Sequence, residues 1–403
     1  MQNIKKIQNI KGKKILMRVD FNEPIINGKL ENDFRIKKTL PTIKFLSEKG
    51  AKIILISHLG NGEASLDLIA KDLNKFMPQL NATVSIKFIP EIIGPKVEEE
   101  ILKMQNGEII LLENLRKNKG EQDCDRNFAR QLANLADIYV NEAFPVSHRE
   151  DASIILLPKL LPSYAGLQLE AEVKNLSKVF GLSPVSVSRT STHPFLFILG
   201  GAKFSTKIPL VKKYLKLADF VFIGGALANN FFKENNLEIG KSLIDKLVVV
   251  PKNILKNKKI ILPEDVLTTT DLSRLTKSFL KSKKINEIEE NEYIIDIGNN
   301  STKKLIELIK KSKLIVWNGP LSKSEGEETN NKKIIDFLLS QKNKKIIIGG
   351  GDLINCLPDS YLNSKSQLNA TKSQPKNIFI STGGGATLEF LTKNTLPGIK
   401  ALN

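Results

Sequence analysis

The sequence predicts an α/β fold class, with two doubly wound parallel-sheet (Rossmann-like) domains joined by a hinge helix. Short apolar runs recur along the chain, separated by polar stretches long enough to form helices. Runs without polar alternation are typical of strands buried on both faces, and their alternation with helices favours parallel sheets with right-handed crossovers. The length of 403 residues fits roughly two or three domains.

The predicted strands fall into two series, one in each half of the chain. The runs of the first half are residues 14–19, 52–57, 84–88, 108–112 and 138–140. The runs of the second half are residues 195–199, 220–223, 259–262, 293–296, 314–317, 345–348 and 378–381. Two series of this kind fit two sheets better than one very large sheet.

Leucine and valine side chains at helical spacing predict an amphipathic helix over residues 165–180. The next stretch, residues 181–194, is rich in serine and contains prolines, which predicts a loop. We place the boundary between the two domains here. Residues 357–376 are rich in serine, asparagine, glutamine and lysine, and we expect a surface insertion.

The composition excludes several classes of protein. Hydrophobic residues make up 41% and charged residues 26% of the chain, which excludes collagen-like, disulfide-rich and wholly disordered proteins. No stretch approaches the ~20 apolar residues of a membrane-spanning helix, and residues 1–6 lead into polar sequence without the apolar region of a secretory signal. Cys124 and Cys356 lack metal-ligand spacing, so we expect free thiols and a cytoplasmic location.

A net charge of +18 gives the surface an attraction for anions, nucleic acid among them. Lysine and asparagine are abundant along the whole chain, however, and the basic residues are not interleaved with aromatic ones in one segment. We therefore interpret the lysines as solvated surface residues and expect no specific nucleic-acid partner.

Glycines follow predicted strands of the second half at their carboxyl ends. They are Gly200-Gly201, Gly224-Gly225, Gly349-Gly350-Gly351 and Gly383-Gly384-Gly385. Ligands of open α/β sheets bind at the carboxyl ends of the strands, where glycine admits close backbone approach and helix N-termini offer N–H groups to phosphate. One such turn would indicate no more than a tight turn, but four in one half predict a nucleotide or phosphate site.

The strand ends of the first half carry charged and hydrogen-bonding side chains instead. They are Arg18-Val19-Asp20-Phe21-Asn22, Ser57-His58, Glu113-Asn114-Leu115-Arg116 and His148-Arg149, with Arg35 at the next predicted helix start. Because arginine binds carboxylate and phosphate through paired hydrogen bonds, Arg35, Arg116 and Arg149 predict a pocket for a small anion. A nucleotide domain and a small-anion domain together indicate phosphoryl transfer between them.

Seven motifs resemble those of the phosphoglycerate kinase family, in the family's order and over nearly the whole chain. They are residues 18–24 (RVDFNEP), 57–60 (SHLG), 112–116 (LENLR), 199–203 (LGGAK), 317–320 (WNGP), 349–352 (GGGD) and 381–386 (STGGGA). The resemblance implies phosphoryl transfer between 1,3-bisphosphoglycerate and MgADP, giving 3-phosphoglycerate and MgATP. The implied cofactor is Mg²⁺ bound with ADP or ATP, and the implied assembly is a monomer.

The resemblance also implies a deep interdomain cleft that a hinge closes. We expect three parts on this basis. Residues 1–164 plus 391–403 form the phosphoglycerate-binding domain, residues 165–180 the linker helix, and residues 181–390 the nucleotide-binding domain. The C-terminal residues return to the first domain in this scheme.

By resemblance, the first domain holds the phosphoglycerate. The implied substrate-binding residues are Asp20, Phe21, Asn22, Arg35, His58, Leu59, Gly60, Asn61, Arg116 and Arg149. Asp20 and Asn22 bind the glycerate hydroxyl and carboxylate end in the family. The arginines and the histidine hold the carboxylate and the phosphate, and Arg35 is also catalytic.

The second domain holds the nucleotide by the same resemblance. The implied residues are Gly200, Gly201, Lys203, Lys207, Gly224, Gly225, Asn318, Pro320, Glu325, Gly349, Gly350, Gly351, Asp352 and Leu353. Lys203 follows the migrating phosphoryl group, Glu325 binds the ribose, and Asp352 is the Mg²⁺ ligand. Gly384 and Gly385 begin a helix that stabilises the transferred group, and they complete the implied catalytic set with Arg35 and Lys203.

The chain departs from the family pattern at several positions. Asn61 stands in place of a phosphate-binding arginine, and Asp151 in place of a histidine. Ser322-Lys323-Ser324 replaces Gly-Val-Phe before the ribose-binding glutamate, and Thr206 and Leu353 also differ. Losing one charge-assisted phosphate contact costs ~1.5–3 kcal/mol, or roughly ten- to hundredfold in affinity. We therefore expect an active enzyme with a weakened hold on its substrate.

Two other functions fit parts of the sequence. A nicotinamide-dependent dehydrogenase would also pair two sheets with glycine turns, but a G-x-G-x-x-G with an acidic residue ~20 positions further on is absent. A degenerate paralogue that binds nucleotide or nucleic acid would fit the +18 charge. Such a binding protein would not need Arg35, Lys203 and Asp352 together.

Overall fold

The computed structural model describes residues 1–26, 28–30, 32–80, 85–179, 193–205, 207–246, 249–275, 277–323, 329–358, 361 and 377–403. These residues form two compact units. Unit 1 comprises Met1–Lys174 and Lys393–Asn403, and unit 2 comprises Asn175–Tyr361 and the segment that ends at Thr392. Within the described ranges, none of the helices combines the length and apolar character that crossing a membrane requires.

Unit 1 is built on a parallel sheet. Its strands are β1 (Lys14–Arg18), β2 (Ile25–Ile26), β3 (Lys29–Leu30), β4 (Lys52–Ile56), β5 (Lys87–Ile89), β6 (Ile109–Leu112), β7 (Ile138–Asn141) and β8 (Ser163–Ala165). In the described part of the chain the sheet has six strands in the order β5-β6-β4-β1-β7-β8, and β2 and β3 form a separate antiparallel pair. The central strands β1, β4, β6 and β7 are buried along almost their whole length, as their apolar sequences predict.

Helices connect and cover these strands. They are α1 (Phe34–Glu48), α2 (Asp67–Phe76), α3 (Pro95–Lys103), α4 (Lys119–Gln122), α5 (Arg126–Ala133), α6 (Ala152–Ile155), α7 (Leu157–Leu160) and α8 (Leu167–Ser177). Single 3-10 turns cover Ile4–Lys6, Met77–Leu80, Leu115–Lys117 and Phe144–Val146. The apolar faces of α1 and α2 pack on the sheet in one continuous core with β1, β4 and β6.

Unit 2 repeats this architecture. Its strands are β9 (Phe195–Leu199), β10 (Phe220–Ile223), β11 (Ile260–Ile261), β12 (Asp265–Thr269), β13 (Lys281–Lys284), β14 (Tyr293–Ile297), β15 (Leu314–Asn318), β16 (Lys345–Gly349) and β17 (Ile378–Ile380). Among the described residues, the parallel sheet has six strands in the order β11-β10-β9-β15-β16-β17. Two parallel-sheet α/β domains are thereby confirmed.

The helices of the second half begin mostly at the carboxyl ends of these strands. They are α9 (Ile208–Leu217), α10 (Ala226–Glu234), α11 (Lys252–Leu255), α12 (Asn299–Lys311), α13 (Asn330–Leu339), α14 (Gly351–Ile354), α15 (Gly385–Lys393) and α16 (Pro397–Ala401). The 3-10 turns are Lys277–Phe279 and Ile285–Glu287. The last helix, α16, belongs to unit 1, where the amide of Gly398 donates to the carbonyl oxygen of Ser147 at 2.8 Å.

One predicted strand lies in a different sheet from the one expected. The run 293–296 forms most of β14, which pairs antiparallel with β12 in a sheet of order β13-β12-β14. The expectation that it belongs to the parallel series is therefore wrong. Ile295 is buried and Tyr293 and Ile294 are half-buried, and local pattern cannot distinguish burial in one sheet from burial in another.

The predicted hinge helix is shorter than the sequence pattern suggests. It begins at Leu167, because Ala165 still belongs to β8, a short edge strand that the apolar pattern does not predict. The division between the units falls inside α8, after Lys174. The predicted loop 181–194 and insertion 357–376 lie almost entirely outside the described residues.

Candidate active site

The carboxyl ends of β4, β1 and β7 lie side by side, because these strands are parallel neighbours in unit 1. Asp20 follows β1 and His58 follows β4, and Asp20 Oδ1 lies 3.7 Å from Nδ1 of His58. Both side chains are buried. The structure thus brings together two predicted substrate residues from different strand ends.

Arg35 reaches the same edge from the first turn of α1. Its Nη1 donates to Asp20 Oδ2 at 3.2 Å and to the carbonyl oxygen of Asn22 at 2.8 Å. Its Nη2 makes no hydrogen bond or ion pair with any residue that the structure describes. The side chain is 21% exposed, so one edge of the guanidinium is available to an anion.

His58 is uncharged at physiological pH because its surroundings disfavour the imidazolium. Burial lowers the pKa of His58 far below its ordinary value, and four guanidinium groups lower it further. In decreasing order of effect they belong to Arg18, Arg116, Arg149 and Arg35. Nε2 of His58 is buried and has no hydrogen-bond partner in the described part of the chain. The charges of four arginines therefore act on an imidazole whose Nε2 is unused.

Asn114 ties the loop after His58 to the end of β6. Its Oδ1 accepts from the amide of Leu59 at 3.1 Å, and its Nδ2 donates to the carbonyl oxygens of Leu59 at 2.7 Å and Ala64 at 2.8 Å. The amide of Gly60 donates to Asn22 Oδ1 at 2.8 Å, so the side chain of Asn22 supports this loop. Asn61, the next residue, is exposed.

Arg116 is buried, with part of its guanidinium unused. Its Nη1 donates to the carbonyl oxygen of Gly60 at 2.6 Å, and its Nη2 lies 3.9 Å from Asp151 Oδ2. Among the described residues, Nε and Nη2 of Arg116 have no hydrogen-bond partner. Burial lowers the pKa of Arg116, and the charge of the exposed Arg149 lowers it further. A bound carboxylate or phosphate would stabilise both guanidinium groups.

The glycine turns that follow the strands of unit 2 also lie at one edge of its sheet. The amide of Gly200, after β9, donates to the carbonyl oxygen of Asn318 at 2.9 Å, and the amide of Gly201 donates to that of Pro320 at 2.8 Å. The amide of Gly319 donates to the carbonyl oxygen of Gly349 at 3.2 Å. The predicted glycines at the ends of β9 and β16 are therefore both joined to the turn that follows β15.

Glycine is required at these turns for two physical reasons. A Cβ on Gly200 would lie 2.2 Å from the carbonyl oxygen of Pro320, which is closer than any real contact. Gly350 has a φ of +116°, a conformation that residues with side chains rarely adopt. Both constraints keep bare backbone at the edge where a ligand would bind.

Two polar side chains point to an anionic ligand at this edge. The Nζ of Lys207, which is buried at the start of α9, donates to the carbonyl oxygen of Gly200. Asn318 is buried, and its Nδ2 has no hydrogen-bond partner in the described ranges. That amide lies beside Gly349, where it can donate to a phosphate oxygen.

Unit 2 also contains a cavity of about 570 Å³, called here the unit 2 cavity. Its lining includes the predicted residues Gly201, Gly225 and Pro320, together with Tyr293 and Asp296. The volume and the largely apolar lining suit an aromatic base. Burial raises the pKa of Asp296 to about 7, and its carboxyl accepts from the amide of Ile297, the next residue of β14, and from that of Asn330, the first residue of α13.

A family model described as phosphoglycerate kinase matches residues 4–394. The chain belongs to the phosphoglycerate kinase family. Among curated relatives, the phosphoglycerate kinase of Wolbachia sp. subsp. Drosophila simulans (strain wRi) is 38% identical over 414 residues, covering 99% of this chain and 98% of its own. The resemblance predicted from the motifs is confirmed, and the protein is a phosphotransferase enzyme.

Solved structures agree with this assignment. The phosphoglycerate kinase from Coxiella burnetii is 30% identical, with a TM-score of 0.74, covering 99% of this chain and 98% of its own. The phosphoglycerate kinase from Pyrococcus horikoshii OT3 is 25% identical, with a TM-score of 0.80, covering 100% of this chain and 98% of its own. Both the fold and the sequence of this phosphoglycerate kinase family member therefore match along the whole chain.

The other residues predicted for the nucleotide site differ in whether the structure describes them and in how exposed they are. Glu325 and the side chain of Asp352 lie outside the described residues, as does Thr206, one of the departures from the family pattern. Leu353 is fully buried in α14, so it packs inside unit 2. Lys203 is exposed near the start of α9. The described ranges hold no group of three or more His, Cys, Asp and Glu side chains suited to a metal ion.

Several residues that contact the family's substrate residues had no predicted role. Arg18, Glu23 and Asn114 lie within the quoted motifs, so the signal was present, but their partners are distant in sequence. Asp296 lies at the end of a strand and had no local signal. Its burial beside the unit 2 cavity comes only from packing.

Proposed function

We propose that this enzyme transfers a phosphoryl group directly between 1,3-bisphosphoglycerate and MgADP, giving 3-phosphoglycerate and MgATP. The observation that carries the proposal is the set of buried, unused donors in unit 1. They are Nε2 of His58 together with Nε and Nη2 of Arg116. Buried donors without partners are costly unless a ligand satisfies them, and the positive field around them selects an anion.

In unit 1, the proposed ligand is the phosphoglycerate. Arg35, His58, Arg116 and Arg149 would hold its carboxylate and phosphate, since the charges of all three arginines act on His58 at the end of β4 and both His58 and Arg116 have buried donors without partners. Asp20 would accept from the glycerate hydroxyl. Asn22 supports the loop after His58 through its hydrogen bond with the amide of Gly60. Phe21 and Leu59 are buried beside this loop.

In unit 2, the proposed ligand is the Mg²⁺ nucleotide. The unit 2 cavity would take the base and ribose, and the amide of Asn318 and the ammonium of Lys207 would meet the phosphates. Asp352 stands in the first turn of α14 and is the proposed Mg²⁺ ligand, since Mg²⁺ is bound through one or two carboxylates plus nucleotide phosphates. Lys203 and the amides of Gly384 and Gly385, just before and at the start of α15, are proposed to stabilise the transferred group.

The proposed transfer is in line and needs no covalent intermediate. A loose transition state spreads charge over the equatorial oxygens, so catalysis depends on positioning and on positive charge. Holding both reactants in line contributes ~7–11 kcal/mol. We propose that hinge motion around α8 brings the two substrates together before transfer, in a monomer that works in the cytoplasm.

The test is an assay of 3-phosphoglycerate phosphorylation by MgATP, coupled to NADH oxidation. Arg35→Ala and Lys203→Ala should each lower kcat at least about a hundredfold, because each removes a charge from the transition state. Arg130→Ala and Lys212→Ala are matched controls, since both side chains are exposed on helices α5 and α9. Their kcat should equal that of the wild type.

Two outcomes would contradict the proposal. Wild-type enzyme without turnover, but with salt-sensitive binding of single-stranded nucleic acid, would favour a degenerate binding protein. Normal kcat in Arg35→Ala or Lys203→Ala would remove that residue from the mechanism. Far-UV circular dichroism of each variant separates loss of chemistry from loss of fold.

A further inference from the structure

Glu23 lies against the arginine that the proposed reaction needs. It is 7% exposed in the loop after β1, and its Oε1 accepts from the amide of Arg35 at 3.2 Å. The same oxygen lies 3.8 Å from Arg35 Nε. Glu23 therefore caps the first turn of α1 and faces one edge of the guanidinium.

Two carboxylates share this one guanidinium. Asp20 accepts from Nη1 of Arg35, while Glu23 faces its Nε. When both acids are ionised, the three side chains carry a net charge of +1 − 2 = −1, and when Glu23 is protonated the net charge is zero. An anionic ligand of Arg35 meets repulsion in the first state that is absent in the second.

We propose that Glu23 is a positioning residue whose charge competes with phosphoglycerate for Arg35, so that the enzyme takes up a proton at Glu23 when the substrate binds. The proposal rests on the proposed function, which places Arg35 on the phosphoglycerate. Glu23 does not touch the reacting atoms, but its charge sets how tightly Arg35 binds phosphoglycerate.

The electrostatic surroundings of Glu23 put its titration in the working range of the enzyme. Burial raises the pKa of Glu23 to about 7; Arg35 lowers it, and Asp20 and Asp33 raise it. Asp33 is itself paired with Lys37 at 2.6 Å. Below pH 7 Glu23 is mostly neutral and Asp20 alone pairs with Arg35, whereas above pH 7 the ionised carboxylate of Glu23 also competes with the anion for Arg35.

The experiment is calorimetric titration of the full-length enzyme with 3-phosphoglycerate at pH 6 and pH 8, in two buffers of different ionisation enthalpy. The ligand's own phosphate titrates near pH 6, so the quantity of interest is the difference in proton uptake between wild type and Glu23→Gln. We expect smaller uptake in Glu23→Gln, and binding about three- to tenfold tighter than wild type at pH 8. A unit charge roughly 6 Å away has this effect at an effective dielectric constant of about 40 to 80.

A purely structural role for Glu23 predicts a different result. Glutamine keeps the oxygen that accepts from the Arg35 amide, so a structural role leaves proton uptake and pH dependence unchanged. Equal proton uptake in wild type and Glu23→Gln would overturn the proposal. Glu23→Met, also neutral, must show the same loss of uptake, which covers the case that glutamine disturbs the loop.

Two further variants separate this proposal from the function on which it rests. Glu48→Gln removes an exposed carboxylate from the other end of α1 and must keep the wild-type uptake. Arg35→Ala must bind 3-phosphoglycerate more weakly, and adding Glu23→Gln to Arg35→Ala must then leave the proton uptake unchanged. Unchanged binding in Arg35→Ala would contradict the role of Arg35 in the proposed function, whatever Glu23 does.

Discussion

Arg18 Nη2 lies 3.3 Å from Nδ1 of His58, and both side chains are fully buried. A guanidinium can only donate hydrogen bonds, so Nδ1 of His58 accepts. The proton of the neutral imidazole is then on Nε2, the atom without a partner in the described part of the chain. Arg18 is itself fixed by Ser153 Oγ at 2.8 Å and by the carboxylate of Glu121 at 3.7 Å. This network leaves Nε2 of His58 as one oriented donor at the proposed substrate site.

The first prediction concerns the protonation of His58. Because burial and the surrounding arginines lower its pKa, His58 should stay neutral, with its proton on Nε2, from pH 5 to pH 8. Long-range proton–nitrogen NMR spectra test this, and the chain has only 3 histidines to assign. A His58 titration midpoint inside that pH range would contradict the prediction.

The second prediction concerns the ion pair of Arg116. Asp151→Asn should remove the negative charge that lies 3.9 Å from Nη2 of Arg116 and competes with the substrate anion, which should lower the KM for 3-phosphoglycerate about threefold. The same change should cost about 1 kcal/mol of stability, because both side chains of the pair are nearly buried. Steady-state kinetics and urea unfolding measure the two effects, and a raised KM would show that Asp151 helps to bind the substrate.

The third prediction concerns position 61, where the family has a positively charged arginine and this chain has Asn61. Asn61 is exposed in the loop between Gly60 and Gly62, so an arginine there has room to reach an anion. Asn61→Arg should lower the KM for 3-phosphoglycerate about tenfold, since a charge-assisted hydrogen bond contributes ~1.5–3 kcal/mol. Asn106→Arg adds the same charge just before β6, at the opposite edge of the sheet, and should leave KM unchanged. Equal KM values in both variants would contradict the hypothesis that Asn61 weakens the binding of phosphoglycerate.

The fourth prediction concerns the glycine edge of unit 2. Gly200→Ala would force a Cβ to 2.2 Å from the carbonyl oxygen of Pro320, so the turn must shift. We expect ADP affinity to fall at least about tenfold and stability to fall by about 1–3 kcal/mol. Trp317, the only tryptophan, lies on β15 and reports unfolding of this unit. Gly12→Ala in unit 1 meets only ordinary contacts, and although its positive φ costs stability, ADP affinity should not change.

The fifth prediction concerns a buried carboxyl of unit 1. Glu142 accepts hydrogen bonds from the amides of Gln168 and Leu169 at the start of α8, and burial raises its pKa to about 8. Between the ordinary value of 4.5 and about 8, the folded state keeps a proton that the unfolded state loses. The free energy of unfolding should therefore fall as pH rises through this window.

Glu142→Gln should remove this part of the pH dependence. At pH 9 the variant should be at least about 1 kcal/mol more stable than wild type, and at pH 4 the two should be nearly equal. Urea unfolding followed by far-UV circular dichroism measures both. Parallel pH profiles for wild type and Glu142→Gln would show that Glu142 is already ionised in the folded protein.

The predicted strands agree best where the signal was a continuous apolar run. The run 52–57 corresponds to β4, and 195–199 to β9, because a strand buried on both faces excludes polar residues along its length. The short strand β8 was missed, since three residues at a sheet edge carry no such pattern. The run 293–296 was assigned to the wrong sheet for a related reason, because an apolar run indicates that a strand is buried but not which strand it pairs with.

The sequence alone determined the family, the order of the strands along the chain and the residues that follow each strand. These features are local: apolar runs, glycine turns and contiguous motifs are read within a few residues. Only the tertiary structure decided that Arg18 orients His58, that Glu23 faces the guanidinium of Arg35 and that Asp296 is buried beside a cavity. Each of these depends on which distant elements pack together, because packing removes water from a charge and thereby sets its hydrogen-bond partner and its pKa.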